Sequence, residues 1–163
     1  WIKRDNKIFK NEIRPLVENL DIFPFPDRDL YRKKYPFLER SQKIFLAGRG
    51  CPFECSYCFN HALKKLYAGK GQYVRLRQPS KVIDEIEFVK TNYLTRTVYM
   101  QDDTFILNRN FIRAFAPEYH QRAGLPLICL VRADLLNEEV VQNLHFAGCQ
   151  RVFMGVELSL IHI

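Results

Sequence analysis

The pattern of apolar and polar positions changes near Lys43. Residues 1–42 carry only weak periodicity. Within them, Phe23-Pro24-Phe25-Pro26-Asp27-Arg28-Asp29 holds two prolines that fix φ and forbid a continuous helix, so this stretch reads as an irregular linker. From Lys43 onward, short apolar runs alternate with helical stripes, the pattern of βα units around a parallel sheet. Ile44-Phe45-Leu46-Ala47 is apolar on both sides of the pleat and predicts a strand covered on both faces, ended by Gly48, Arg49 and Gly50. Ser80, after Pro79, is placed to cap a helix whose Val82, Ile83, Ile86 and Val89 share one face. Thr97-Val98-Tyr99-Met100 is a second strand, closed by Gln101-Asp102-Asp103. Asn108 can cap a helix with Phe111, Ile112, Phe115 and Tyr119 inward, in which Pro117 predicts a kink or a break. Residues 127–131 form a third strand, and Asn137-Glu138-Glu139 opens a helix with Val140, Val141 and Leu144 inside. Gly148 closes that helix, and residues 151–156 form a fourth strand. Strands joined by helical crossovers run parallel. The right-handed crossover rule winds them into the first half of a βα barrel or a doubly wound sheet, with functional residues at the strands' C-terminal ends.

Composition narrows the class. A chain of 163 residues that is 47% hydrophobic and 26% charged suits one globular domain. No apolar run approaches the roughly 18 residues of a membrane span, and Trp1-Ile2-Lys3-Arg4-Asp5 lacks the apolar core of a signal peptide, which predicts a cytoplasmic protein without a membrane segment. The start at Trp1 predicts natural sequence upstream. The net charge of +7 is spread over short clusters, Lys33-Lys34, Lys64-Lys65 and Arg75/Arg77, which reads as a solvated surface rather than a nucleic-acid stripe.

Three of the five cysteines, Cys51, Cys55 and Cys58, stand on the loop after the first strand, at the end where a parallel sheet carries its chemistry. A Cys-x3-Cys-x2-Cys loop can wrap three thiolates around one iron–sulfur cluster and leave its fourth iron without a protein ligand. Alternatively, His61, two intervening positions after Cys58, completes a Cys3His zinc knob. Phe53, Tyr57 and Phe59 would surround a cluster with apolar surface, or simply pack the loop. Asp102 and Asp103 are neighbours on a strand end and point to opposite faces, so one alone can face a pocket there, and paired acid/base work is not expected. Arg132 and Asp134 end the third strand, as a salt bridge or as an anion site, and Glu157 ends the fourth. Cys129 and Cys149 read as small buried hydrophobes, and His120 and His145 as structural.

The loop Gly50-Cys51-Pro52-Phe53-Glu54-Cys55-Ser56-Tyr57-Cys58-Phe59-Asn60, with an aromatic residue directly before the last cysteine, resembles the signature of the radical S-adenosylmethionine (SAM) superfamily, and the resemblance extends over residues 20–157. It implies a partial (β/α) barrel of which this chain carries the first half. It implies a [4Fe-4S] cluster on Cys51, Cys55 and Cys58 whose open iron is chelated by the amino and carboxylate groups of SAM. One electron, from a donor such as flavodoxin or ferredoxin, then cleaves the sulfonium to methionine and a 5′-deoxyadenosyl radical. The same resemblance assigns the Tyr57 backbone to the adenine, Asp102 and Asp103 to the region of the SAM amino group, Arg132 to the SAM carboxylate and Glu157 to the ribose hydroxyls. Where many members have Gly-Gly-Glu, this chain has Asp102-Asp103-Thr104-Phe105, which is similar to the cobalamin-dependent branch. Residues 20–31 likewise resemble the segment that joins a cobalamin-binding domain to the barrel. That branch implies a methyltransferase or cyclase of anaerobic metabolism. No Asp-x-His-x-x-Gly motif occurs here, so the cobalamin ligand is expected outside this chain. The rival readings are a methylthio-transferring tRNA modification enzyme and a non-catalytic zinc module. The expected organisation is a linker from an N-terminal domain over 1–42 and the first half of the core over 43–157. A non-native tail over 158–163 is expected, where Leu158-Ser159-Leu160-Ile161-His162-Ile163 replaces the family's Ser-Gly continuation with what translation of a library-preparation transposon end yields. The substrate is not legible from these residues.

Overall fold

The computed structural model describes residues 1–155. Two short strands, β1 (Ile2–Arg4) and β2 (Lys7–Phe9), open it as an antiparallel hairpin. Asp5 and Asn6 turn it with φ of 49° and 59°, the left-handed geometry that Asp and Asn tolerate best after glycine. All six strand residues are exposed. Residues 23–28 are non-helical, as their prolines dictate, and the short helix α1 (Asp29–Lys34) follows. Asp27 starts it, its carboxylate accepting from the N–H groups of Asp29 and Leu30 at 3.0 and 3.2 Å. Neither the hairpin nor α1 is announced by the weak periodicity of this region.

The segment is tied to the core by charge. Glu85, 3% exposed, accepts from Arg77 at 2.6 Å and from Arg28 at 3.4 Å. Arg28 also donates to the Ile44 carbonyl and lies over the Phe45 ring. The Asp21 carboxylate accepts from the N–H of Gln78 at 3.0 Å. A buried carboxylate needs such partners, and here they fix the path of the incoming chain.

The first core strand is shorter than its apolar run. β3 (Gln42–Phe45) pairs in parallel, after which the chain leaves the sheet, and β4 (Gly48–Arg49) begins a ribbon of its own. The helix α2 (Asn60–Leu66) follows the cysteine loop, and β5 (Arg75–Leu76) returns antiparallel to β4. Then come α3 (Pro79–Asn92), β6 (Thr97–Met100), α4 (Arg109–Arg122), β7 (Leu127–Val131), α5 (Glu138–Phe146) and β8 (Cys149–Met154). The four strands β3-β6-β7-β8 form one parallel sheet in that order. The helices α3, α4 and α5 all pack on one of its faces, where Phe45, Val98, Met100, Leu127, Cys129 and Val131 meet Val82, Ile83, Ile86, Phe115, Tyr119, Val140 and Leu144 in one buried cluster. Each such aliphatic or aromatic side chain removed from water contributes about 1.5–3 kcal/mol. The opposite face carries Ile44, Tyr99 and Phe153, and Ile44 is 47% exposed. Coverage of both faces, expected from the apolar run at 44–47, is therefore not what forms. A sheet with its helices on a single side is the wall of a barrel and not a doubly wound sheet.

Local signals fare unevenly. Asn108 and Asn137 cap α4 and α5 as expected, accepting from Phe111 N–H at 3.0 Å and Val140 N–H at 2.9 Å. Gly148 follows α5 with φ of 83°. Helix α3 starts two residues earlier than expected, with Pro79 in its first turn and Gln78 before it, so Ser80 is not its cap. Pro117 does not split α4 into two helices: it sits on the exposed side of one continuous helix, while Phe111, Phe115 and Tyr119 anchor the turns on either side of it. Val141, expected inside, is 51% exposed. The fourth strand, expected to run to Val156, ends at Met154; Val156, Glu157 and the tail 158–163 lie outside the described residues.

Candidate functional site

The cysteine loop leaves β4 through Gly50. This residue holds φ of +84°, and a Cβ there would stand 2.4 Å from the Tyr73 carbonyl oxygen, so both conformation and space require glycine. The turn just before it is held by Asp102, which is 6% exposed. The Asp102 carboxylate accepts from the N–H of Ala47 at 3.0 and 3.1 Å and from the N–H of Gly48 at 2.6 Å. Burial pushes its carboxyl up to about 6, against the lowering effect of those N–H donors. The end of β6 thus fixes the end of β3 and the entry to the loop.

Cys51, Cys55 and Cys58 are free thiols, all half-buried, and they open onto one cavity of about 690 Å3 beyond the C-terminal ends of β6, β7 and β8. Each sulfur has a donor at hand. The Phe53 N–H and the Thr104 hydroxyl serve Cys51, Arg132 Nη1 lies 3.6 Å from Cys55 Sγ, and the Asn60 N–H lies 3.5 Å from Cys58 Sγ. Burial, with Asp103 and Cys55 nearby, pushes the Cys51 thiol up, so it is protonated at neutral pH until a metal takes the proton's place. Cys58 N–H donates to the Cys55 carbonyl at 2.9 Å, the turn that brings the last two thiols together.

Among the described residues, no three His, Cys, Asp or Glu side chains are gathered closely enough to hold a single metal ion. The three thiols share one cavity, and its further lining of Tyr57, Asp103, Thr104 and Arg132 leaves room beside them. His61 does not join them: it lines a separate cleft with Glu54, Ser56 and Lys64. The residues present therefore fit an iron–sulfur cluster with N–H donors on its sulfur ligands, and not a Cys3His zinc knob.

Of the other expected site residues, Asp103, Arg132 and Tyr57 line the cysteine cavity, whereas Asp102 turns away into its backbone contacts. Arg132 is engaged on several sides. Its Nε and Nη2 meet the Asp134 carboxylate at 3.0 and 2.8 Å, and its guanidinium carbon sits 3.6 Å from the centre of the Phe53 ring. Asp134 holds the guanidinium still more firmly protonated and is itself held below the usual carboxylate range. Glu157 lies outside the described residues. Cys129 is buried and Cys149 half-buried, with their sulfurs 4.0 Å apart, and neither lines the loop's cavity. A second cavity of about 810 Å3 adjoins the first through Asn60 and Asp103 and runs between residues 14–23 and the β4–β5 ribbon. On the wall they share, the Tyr73 hydroxyl donates to Asn60 Oδ1 at 2.9 Å. Asn60, Tyr73 and Thr104 were not singled out by sequence. Thr104 had a signal in its place beside Asp103, but Tyr73 arrives from a ribbon that no periodicity marks.

The radical SAM superfamily model matches residues 45–159. The chain belongs to the radical SAM superfamily. Among relatives, it is 29% identical over 158 residues to an uncharacterized methyltransferase of Pyrococcus horikoshii, covering 95% of this chain and 33% of that protein. It is 27% identical to the anaerobic magnesium-protoporphyrin IX monomethyl ester cyclase of Rubrivivax gelatinosus, over 95% of this chain and 28% of the relative. It is also 27% identical to the hopanoid C-2 methylase of Rhodopseudomonas palustris, over 85% and 26%. The chain thus spans about a third or less of the length of these relatives. In fold it is similar to the radical SAM methyltransferase TsrM of Kitasatospora setae. One structure of that enzyme, with cobalamin and a [4Fe-4S] cluster bound, gives a TM-score of 0.55 at 24% identity, covering 69% of this chain and 22% of that one. Another, with tryptophan and a SAM analogue, gives 0.58 at 22%, covering 79% and 23%. The four-stranded sheet is thereby part of a radical SAM fold. No helix among the described residues is long and apolar enough to cross a membrane.

Proposed function

We propose that this chain is the cofactor-cleaving part of a cobalamin-dependent radical SAM enzyme, a methyltransferase or a cyclase. The observation that carries the proposal is three free thiols opening onto one cavity, each with a hydrogen-bond donor beside it. Bound there, a [4Fe-4S] cluster supplies the electron that cleaves SAM to methionine and a 5′-deoxyadenosyl radical. The chain's own part is to hold and shield. Asp102 fixes the loop's entry through the backbone of Ala47 and Gly48, Asp103 presents a carboxylate to the ammonium of SAM, and Arg132 presents a cation to its carboxylate. Because Asp134 occupies the Nε edge of Arg132, the SAM carboxylate would be met by the remaining terminal N–H groups. The Tyr57 backbone is assigned to the adenine and Glu157 to the ribose. Cobalamin would be held by residues outside this chain, beyond the segment 20–31; the methylase and cyclase among its relatives and the cobalamin held by TsrM support that reading. A one-electron donor of the flavodoxin or ferredoxin class would supply the reducing equivalent.

Anaerobic reconstitution with iron and sulfide tests the assignment. A brown protein with iron and sulfide in cubane stoichiometry is expected, with an electron-spin signal of the reduced state that changes when SAM is added. Cys51→Ala, Cys55→Ala and Cys58→Ala should each abolish it. Colourless protein holding stoichiometric zinc through Cys51, Cys55, Cys58 and His61 would overturn the proposal.

A further inference from the structure

Arg132 stands where three contacts converge. Its Nε and one Nη2 N–H are spent on Asp134, which fixes the plane of the guanidinium. That plane lies 3.6 Å above Phe53, a residue of the cysteine loop itself, so the cation binds the loop through the ring's negative face. The geometry then leaves Nη1 3.6 Å from Cys55 Sγ, a normal reach for an N–H to sulfur. Arg132 directly follows β7 and Asp134 lies in the 3-10 turn after it, so the donor is presented from the sheet's side of the cavity and not by the loop it serves.

We propose that Arg132 is a positioning residue that clamps the cysteine loop through Phe53 and, by donating an N–H to Cys55 Sγ, raises the reduction potential of the cluster held there. This rests on the cluster reading given above and adds a task to Arg132 beyond binding the SAM carboxylate. The physical ground is charge. One-electron reduction by an external donor adds a negative charge to the iron–sulfur unit, and a fixed N–H on a ligand sulfur draws density from that sulfur and stabilises the reduced state. Asp134 keeps the donor in place but offsets part of its positive field, so the clamp and the cation can be separated by mutation.

A redox titration of the anaerobically reconstituted protein, followed by the electron-spin signal of the reduced cluster, is the test. R132Q and R132K should retain the wild-type iron content and show midpoint potentials shifted to more negative values, R132Q further than R132K because lysine keeps the charge but not the fixed donor. F53L should shift the potential in the same direction by less, since it frees the plane without removing the N–H. In the metal-free protein, R132Q and F53L should each speed proteolytic cleavage within residues 51–59 several-fold while leaving cleavage elsewhere unchanged. An unchanged midpoint in both Arg132 variants would overturn the potential-setting role, and unchanged cleavage would overturn the clamp. If R132Q does not retain a cluster, F53L carries the same reading of both signals. Wild-type protein that assembles no cluster at all would instead strike the underlying assignment.

Discussion

The two faces of the parallel sheet use similar side chains to different ends. On one, Val98, Met100, Leu127 and Cys129 are wholly buried under α3, α4 and α5. On the other, Tyr99 and Phe153 lean together with ring centres 5.8 Å apart, Ile44 stays about half exposed, and the strand ends lead into the cysteine cavity. The difference teaches where stability and chemistry reside: the closed face holds the strands together, and the open face and strand ends hold whatever the site binds.

Four substitutions would break or sharpen that contrast. Phe115→Ala, at the centre of the ring stack between Phe111 and Tyr119, should cost about 3–5 kcal/mol in denaturant unfolding and leave the chain barely folded. Asp102→Ala should cost roughly 2 kcal/mol by stranding the Ala47 and Gly48 N–H groups, and should also lower iron retention, because the entry to the loop is loosened. Asp102→Asn probes the charge. The folded carboxyl is raised to about 6, above its unfolded value near 4, so the folded state binds the proton more tightly and this group's contribution falls as pH rises from about 4 to about 6. The stability of wild type minus that of Asp102→Asn should therefore decline over that window and level off above it; a flat difference would contradict the assignment. Ile44→Thr, on the open face, should change stability by less than about 1 kcal/mol.

Much of the closed face was legible because periodicity reports burial directly: the stripe Val82, Ile83, Ile86, Val89 and the caps Asn108 and Asn137 are local features with local causes. The apolar run at 44–47 misled because apolarity there serves an open barrel-side surface and a turn, not a second helix layer. At the site, the proposed ligand pattern is the cysteine spacing itself, so it could be read without a fold. Asp102 and Asp103 do part ways, but both lie beyond the end of β6, and which of them turned inward depended on where the Ala47 and Gly48 N–H groups fell. Arg132 over Phe53, and Tyr73 against Gly50, join residues far apart in the chain and leave no trace in either segment alone.

The approach to Cys51 is set by main-chain atoms: the N–H groups of residues 47 and 48 bind one carboxylate, and Gly50 passes too close to the Tyr73 carbonyl for any side chain to fit between them. Such a mounting sets where the loop begins without calling on the side chains of the loop itself. Exchange of Glu54 or Ser56 should therefore leave the frame in place, whereas Phe53, Cys55 and Cys58 carry contacts of their own.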